Sequence, residues 1–296
     1  MTRDIIGMAG ALAALIMTAG AGAQVPAAVG ADPPADAAHP ASMQVVHIPT
    51  HGVEINGVLY QAAGAGPHPT MVLYHGLPGN EQNLDLAQAV RRDGWNVLTL
   101  HYRGSWGSPG TYSFTHVFED AQAALDFVRD PAVAQRYGVD RRRLVVAGHS
   151  LGGMAAAEVG AHNPDLAGVV LISAANMGRI GETRGGGDRE KLAAFMAQNN
   201  ESLATTPQAM ADEAIAHARD WDFITLAGAL SRHPLLVVTS DDGLGPTDAA
   251  LAAAVRAAHA APVSETHLAT DHSYSGMRIA LEAAVIGWLD ALPAAR

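Results

Sequence analysis

The sequence predicts a doubly wound α/β fold: a mainly parallel, eight-stranded sheet with helices on both faces. Three observations carry that expectation. Apolar runs of strand length recur at steady intervals from residue 70 onward, as in a parallel sheet whose strands are buried on both faces. Stretches with helical spacing of apolar residues lie between them, which makes crossover units. Two further strand-like runs stand close together ahead of this alternation and read as a hairpin.

The hairpin runs are 43–49 (MQVVHIP) and 53–62 (VEINGVLYQA). The remaining strands are expected at 70–75, 95–102, 143–148, 168–174, 235–240 and 264–271. Helices are expected at 81–93, with Asn80 as cap and Gly94 as stop, and at 116–129, 151–162, 247–260 and 275–291. One interval breaks the rhythm: roughly 60 residues separate the strands at 168–174 and 235–240, well beyond an ordinary connection. It contains a glycine-rich charged stretch (GRIGETRGGGDRE, 178–190) and helical pieces near 189–199, 206–219 and 221–231. The interval 175–232 is therefore expected to form a small cap or lid, with the glycines at 184–187 giving backbone freedom.

Ahead of the domain, Arg3 precedes an apolar run from Ile5 to Met17, and small residues follow up to Ala21-Gly22-Ala23. This reads as a secretory signal peptide over 1–23 with cleavage after Ala23, so the protein is expected to be exported, periplasmic or secreted. The run is short for a membrane span, and no membrane partner is expected after cleavage. Residues 24–42 are Ala/Pro-rich and aperiodic and are expected to be a tether. The folded domain then covers 43–296, a size that one core supports without staples.

Composition narrows the chemistry. The chain has no cysteine, which removes disulfides and thiolate nucleophiles. With 18 basic against 29 acidic residues and no basic run, nucleic acid is not an expected partner. Histidines are plentiful at 14, but no metal-binding spacing occurs, so no metal site is expected.

The most informative stretch is RRRLVVAGHSLGGMAAAEVG, 141–160. Gly148, Ser150 and Gly152 form G-x-S-x-G between a predicted strand and a predicted helix, the nucleophile-elbow arrangement. A serine on so tight a corner has strained backbone and leaves no room for side chains two residues away, hence the glycines. A serine hydroxyl needs an imidazole to take its proton and a carboxylate to orient that imidazole. His272, in ATDHSYSG, follows the last predicted strand. Asp241 and Asp242, in LLVVTSDDGLGP, end the strand before it. Asp242 is favoured as the acid because it lies beyond the strand end. Asp241 remains open, and Asp271 is a weaker rival because a neighbour of His272 rarely folds back onto its ring. His149, beside the serine, is expected to point away from it. Oxyanion donors are expected from the backbone N–H of Leu151 and, in the LYHGLPGN loop, from that of Leu77.

Through HGLPG (75–79), GHSLG (148–152), SDDGLGP (240–246) and DHS (271–273), residues 43–296 resemble the α/β-hydrolase superfamily. HYRGSWGSPG (101–110) is similar to the corresponding loop of dienelactone-hydrolase-like and prolyl-oligopeptidase-like members, here without a propeller domain. The resemblance implies a serine hydrolase with the triad Ser150, Asp242 and His272 and with no metal or organic cofactor. Within that class, the expected reaction is hydrolysis of a small-molecule carboxylic ester through an acyl-enzyme. The alternatives are a small serine peptidase or amidase, with Arg103, Arg179 or Arg184 anchoring a charged peptide terminus, and a catalytically silent binding protein of the same fold. Trp106, Met177, Trp221 and Phe223 are expected as pocket residues, with Met154 also available.

Overall fold

The computed structural model describes residues 25–258 and 260–293. The predicted signal peptide over 1–23, and His259, therefore lie outside the described residues. The sheet has eight strands: β1 Ser42–Thr50, β2 Val53–Gln61, β3 His68–Tyr74, β4 Asn96–Leu100, β5 Val139–His149, β6 Gly168–Ile172, β7 Leu235–Thr239 and β8 Val263–His267. Their order is β1-β2-β4-β3-β5-β6-β7-β8. β1 pairs antiparallel with β2, and β2 with β4, while every pair from β4 to β8 is parallel.

The period of two along each strand divides the core into two layers. Val72, Leu98, Val146 and Leu171 face one side of the sheet, with Met154 and Phe114 packed against them. Met71, Val97, Val145 and Val170 face the other, under Leu86, Leu281 and Ile286. Parallel strands with crossover helices bring the strand ends toward one edge, and that edge holds the loops after β3, β5, β6, β7 and β8.

Several boundaries differ from the sequence expectation. The helix after β3 begins at Leu84, not near residue 81, and its cap position is Asn83 in left-handed conformation (φ 55°) without a side-chain capping bond. Glu81 accepts from the Asn83 N–H instead, at 2.6 Å. The expected helix at 116–129 spans Phe114–Arg129, and a second helix, Pro131–Tyr137, follows at once. Asp130 ends the first and caps the second by accepting from the amides of Ala132 and Val133, with Pro131 in the first turn where its missing N–H costs nothing.

The tether expected over 24–42 is not wholly free. Ala27–Gly30 forms a helical turn, Ala28 is buried, and Arg92 Nε donates to the Ala28 carbonyl at 2.6 Å. Small alanines fit against the helices Leu84–Arg92 and Arg278–Asp290, and the guanidinium satisfies a carbonyl left open at the end of the turn.

The interval 175–232 is mostly helical, with α-helices Ile180–Gly185, Arg189–Met196, Pro207–Ala216 and Ala227–Leu230. The glycine-rich stretch is a capped corner between two of them. Gly186 N–H bonds back to the Glu182 carbonyl, Gly187 N–H to that of Gly181, and the Asp188 side chain accepts from the Lys191 amide. Gly186 and Gly187 sit at φ +57° and +78°, so alanine there would strain the corner rather than only remove freedom. The interval is tied to the loop after β4 through a Ser105–Leu203 bridge and a hydrogen bond from Ala204 N–H to the Gly104 carbonyl.

Candidate active site

Ser150 joins β5 to the helix Leu151–His162 at φ 57° and ψ −120°. The tightness of this corner is measurable at its glycines. A Cβ on Gly148 would lie 1.8 Å from the Gly152 carbonyl oxygen, and one on Gly152 would lie 2.2 Å from that of Tyr74. Main-chain atoms cannot yield as a side-chain tip can. Gly148→Ala is therefore expected to cost at least about 4 kcal/mol, in the class of large single-site losses, and to show as lost soluble yield or an early urea transition. The corner is tied to its neighbours by Ser150 N–H to the Ile172 carbonyl and Ala175 N–H to the Ser150 carbonyl.

His272 lies in the loop between β8 and the helix Arg278–Asp290, and its Nδ1 is 2.7 Å from Asp242 Oδ2. The Asp242 side chain is 4% exposed. Burial acts to raise its pKa. The hydrogen bonds from His272 and the Leu244 amide outweigh it and hold the carboxyl well below the usual carboxylate range. Behind it, Ser173 Oγ contacts Ser240 Oγ at 3.0 Å and the Tyr274 hydroxyl at 2.8 Å, and that hydroxyl donates to the Val238 carbonyl. The acid is thus both ionised and fixed in direction.

The neighbouring carboxylates are placed elsewhere. Asp241 is exposed and faces His267 Nε2 at 3.2 Å. Asp271 accepts from the Ser275 amide at 2.8 Å. The sequence left Asp241 and Asp242 open; the structure brings Asp242, and neither neighbour, to the His272 ring.

Ser150 and His272 line one cavity of about 450 Å³, together with Asp242, Leu77 and Leu151. Ser150 Oγ has no hydrogen-bond partner among the described residues, and Asp242 occupies the His272 Nδ1, leaving Nε2 for the cavity side. Gly76 brings the loop after β3 against the serine, since a Cβ there would be 2.8 Å from Ser150 Cβ. The amides of Leu77 and Leu151 donate to no protein acceptor among the described residues. They are two free donors beside Ser150, and the Leu151 amide opens a helix whose N-terminal dipole favours negative charge. The loop is propped from behind by His75, whose Nδ1 meets the Gly76 carbonyl at 2.7 Å and whose pKa burial pushes down to about 4.

Of the expected pocket residues, Met177 lines this cavity. Trp106 is outside it and 41% exposed; its indole N–H donates to the Pro78 carbonyl at 2.7 Å and braces the HGLPG loop from the far side. Trp221 and Phe223 are core residues. Trp221 packs edge-on against Phe118 at 5.3 Å and stacks on His217, and Phe223 is fully buried. Met154 is likewise fully buried in the core.

The remaining wall comes from Phe114, Ile180, Phe195 and Leu244, with Thr183 and Arg184 at the rim. The sequence carried no signal for these apolar residues, because a pocket wall has the same helical periodicity as a core. Arg103 is buried against Asp120 and also pairs with Glu119, and Arg179 pairs with Asp222. Among the three arginines weighed as anchors, only Arg184 reaches the cavity; it lies over the Phe195 ring at 5.5 Å.

The sheet order, the elbow and the loops gathered at one edge define an α/β-hydrolase fold. A family model described as serine aminopeptidase, S33, matches residues 65–216, just over half of the chain, and the chain belongs to this hydrolase family. Among curated proteins it is similar to the alpha/beta hydrolase domain-containing protein WAV2 of Arabidopsis thaliana, at 33% identity over 106 residues, covering 35% of this chain and 33% of that one. The chain spans between a third and about half the length of the curated relatives it matches. Among solved structures it is similar to the carboxylesterase EstE1 cloned from a metagenomic library (TM-score 0.62, 23% identity, 86% of this chain and 91% of that one). It is also similar to a hyperthermophilic esterase from Pyrobaculum calidifontis (TM-score 0.63, 21% identity, 86% and 87%). At these identities the structural likeness concerns the fold.

Proposed function

We propose that the protein is a serine hydrolase of carboxylic esters, working through an acyl-enzyme. One observation carries this reading: Ser150, the His272–Asp242 pair and the free amides of Leu77 and Leu151 all border one cavity. His272 Nε2 takes the Ser150 proton as Oγ attacks the ester carbonyl. The carbonyl oxygen becomes an oxyanion between the amides of Leu77 and Leu151, where each preorganised donor is worth roughly 3–4 kcal/mol in the transition state. The imidazolium, stabilised by ionised Asp242, protonates the leaving alkoxide. Neutral again, His272 activates water, and the second tetrahedral intermediate collapses to release the acid and Ser150.

The apolar wall supports an acyl or alcohol group of modest size. Met177, Ile180 and Phe195 come from the interval 175–232, so this interval acts as a cap that selects substrates. Apolar area buried against it is worth about 25 cal/mol per Å². Across p-nitrophenyl esters, kcat/KM is expected to rise from acetate to a chain that fills the cavity and then fall. A profile that is flat with chain length would refute the cap's selective role.

A peptidase reading has its own support. The family description names an aminopeptidase, and Asp241 and Asp271 at the cavity rim offer carboxylates to a substrate ammonium. Matched p-nitrophenyl esters and aminoacyl p-nitroanilides separate the two. Faster turnover of the anilides, after correction for intrinsic reactivity, would overturn the ester assignment. Labelling of Ser150 by a fluorophosphonate excludes a catalytically silent binding protein.

A further inference from the structure

His149 does point away from Ser150, as expected of the residue before an elbow serine, yet it is not idle. It continues the row of Val145 and Ala147 along β5 and is 3% exposed. Its Nε2 lies 2.8 Å from the main-chain carbonyl oxygen of His272. Its ring lies 4.6 Å from the His272 ring, tilted by 39°, with the Tyr274 ring edge-on at 6.3 Å. A carbonyl only accepts, so Nε2 carries the hydrogen. Nδ1 is buried without a partner, a position that suits an unprotonated nitrogen and not an N–H. Burial first, and then the neighbouring His272 ring, push the pKa down to about 3, against the opposing hydrogen bond to the His272 carbonyl; Arg278 adds to the fall and Asp242 opposes it. The ring is neutral at any working pH.

The residues on either side of His272 are held by the main chain and by Arg278, but its own carbonyl has no other partner among the described residues. No backbone amide reaches the His272 carbonyl among the described residues. Tyr274 N–H bonds back to Asp271, and Arg278 holds the Ser273 carbonyl at 2.9 Å. Asp242 fixes one end of the His272 side chain, but a side chain is only as well placed as the peptide that carries it. An apolar residue at 149 would fill the same volume and leave that peptide without a donor.

We propose that His149 is a positioning residue: its neutral Nε2–H tautomer anchors the His272 peptide, and its ring packs against the His272 imidazole. The clamp keeps His272 aligned between Asp242 and Ser150 while it gains and loses a proton. It ties the base directly to the strand that carries the nucleophile, so the two move as one unit. The proposal rests on the triad reading above.

The test compares His149→Leu and His149→Gln with the parent, by ester kinetics, fluorophosphonate labelling rate and thermal melting. Small misplacements of a catalytic group have large kinetic effects, so His149→Leu is expected to lower kcat and the labelling rate about tenfold while KM stays within about twofold. His149→Gln, whose amide can still donate to the carbonyl, is expected to recover most of the loss. Parent-like kcat in folded His149→Leu overturns the proposal. So does a loss in which kcat, KM and melting temperature move together and glutamine does no better than leucine. Nitrogen-15 NMR of the parent decides even if His149→Leu fails to fold, because a His149 ring protonated at Nδ1 contradicts the clamp. Failure of the parent to label at Ser150 would instead overturn the triad reading itself.

Discussion

Ser150→Ala is expected to leave a folded protein with ester hydrolysis reduced on the order of 10⁴-fold or more, only binding and the oxyanion donors remaining. Little else should change. Ser150 Oγ has no hydrogen-bond partner among the described residues, and alanine keeps the Cβ that packs beside Gly76. Stability is therefore expected to stay within about 1 kcal/mol of the parent, as for a substitution that opens no cavity and orphans no polar group. Ester turnover with initial rates, next to a thermal melt, reads both. Activity within a few-fold of the parent would mean that another group attacks the carbonyl.

The second large effect concerns the acid. Asp242→Asn is expected to lower kcat by about 10⁴-fold, since an amide presents a donor where His272 Nδ1–H needs an acceptor and so favours the wrong tautomer. Asparagine would also sit where the Leu244 amide and the His272 ring are arranged around a carboxylate. Asp241→Asn is expected to change kcat by no more than about twofold, because an exposed carboxylate near an exposed imidazole contributes little. The ratio of the two effects is the measurement. Equal losses, or a larger one for Asp241→Asn, would refute the assignment of Asp242.

These expectations grew from a sequence whose main features were legible before any coordinates. The inner strands were readable because each carries a short apolar run between breakers, as in Gly168–Ile172 and Leu235–Thr239, where burial on both sheet faces favours apolar residues, whereas the edge strand Val263–His267 is mostly polar and exposed. The elbow was readable because its constraint is local: a five-residue corner in which main-chain atoms meet. The helix ends were less legible, as the shift from Asn80 to Asn83 illustrates. There, Glu81 satisfied the amide that a capping side chain was expected to take.

The sequence by itself determined the fold class, the elbow around Ser150, and the chain order that carries Asp242 and His272 to the same edge as that serine. Those features follow from local sterics and from the period of buried strands. Only the tertiary structure showed which of Asp241 and Asp242 meets the His272 ring, because adjacent residues at a strand end differ by direction and not by composition. It alone exchanged Trp221 and Phe223 for Phe114, Ile180, Phe195 and Leu244 around the cavity, because a pocket wall and a core obey the same apolar periodicity. It alone joined His149 to His272, 123 residues apart in the chain. A hydrogen bond across that separation leaves no local pattern to read; it exists because β5 and the loop after β8 end at the same edge of one sheet.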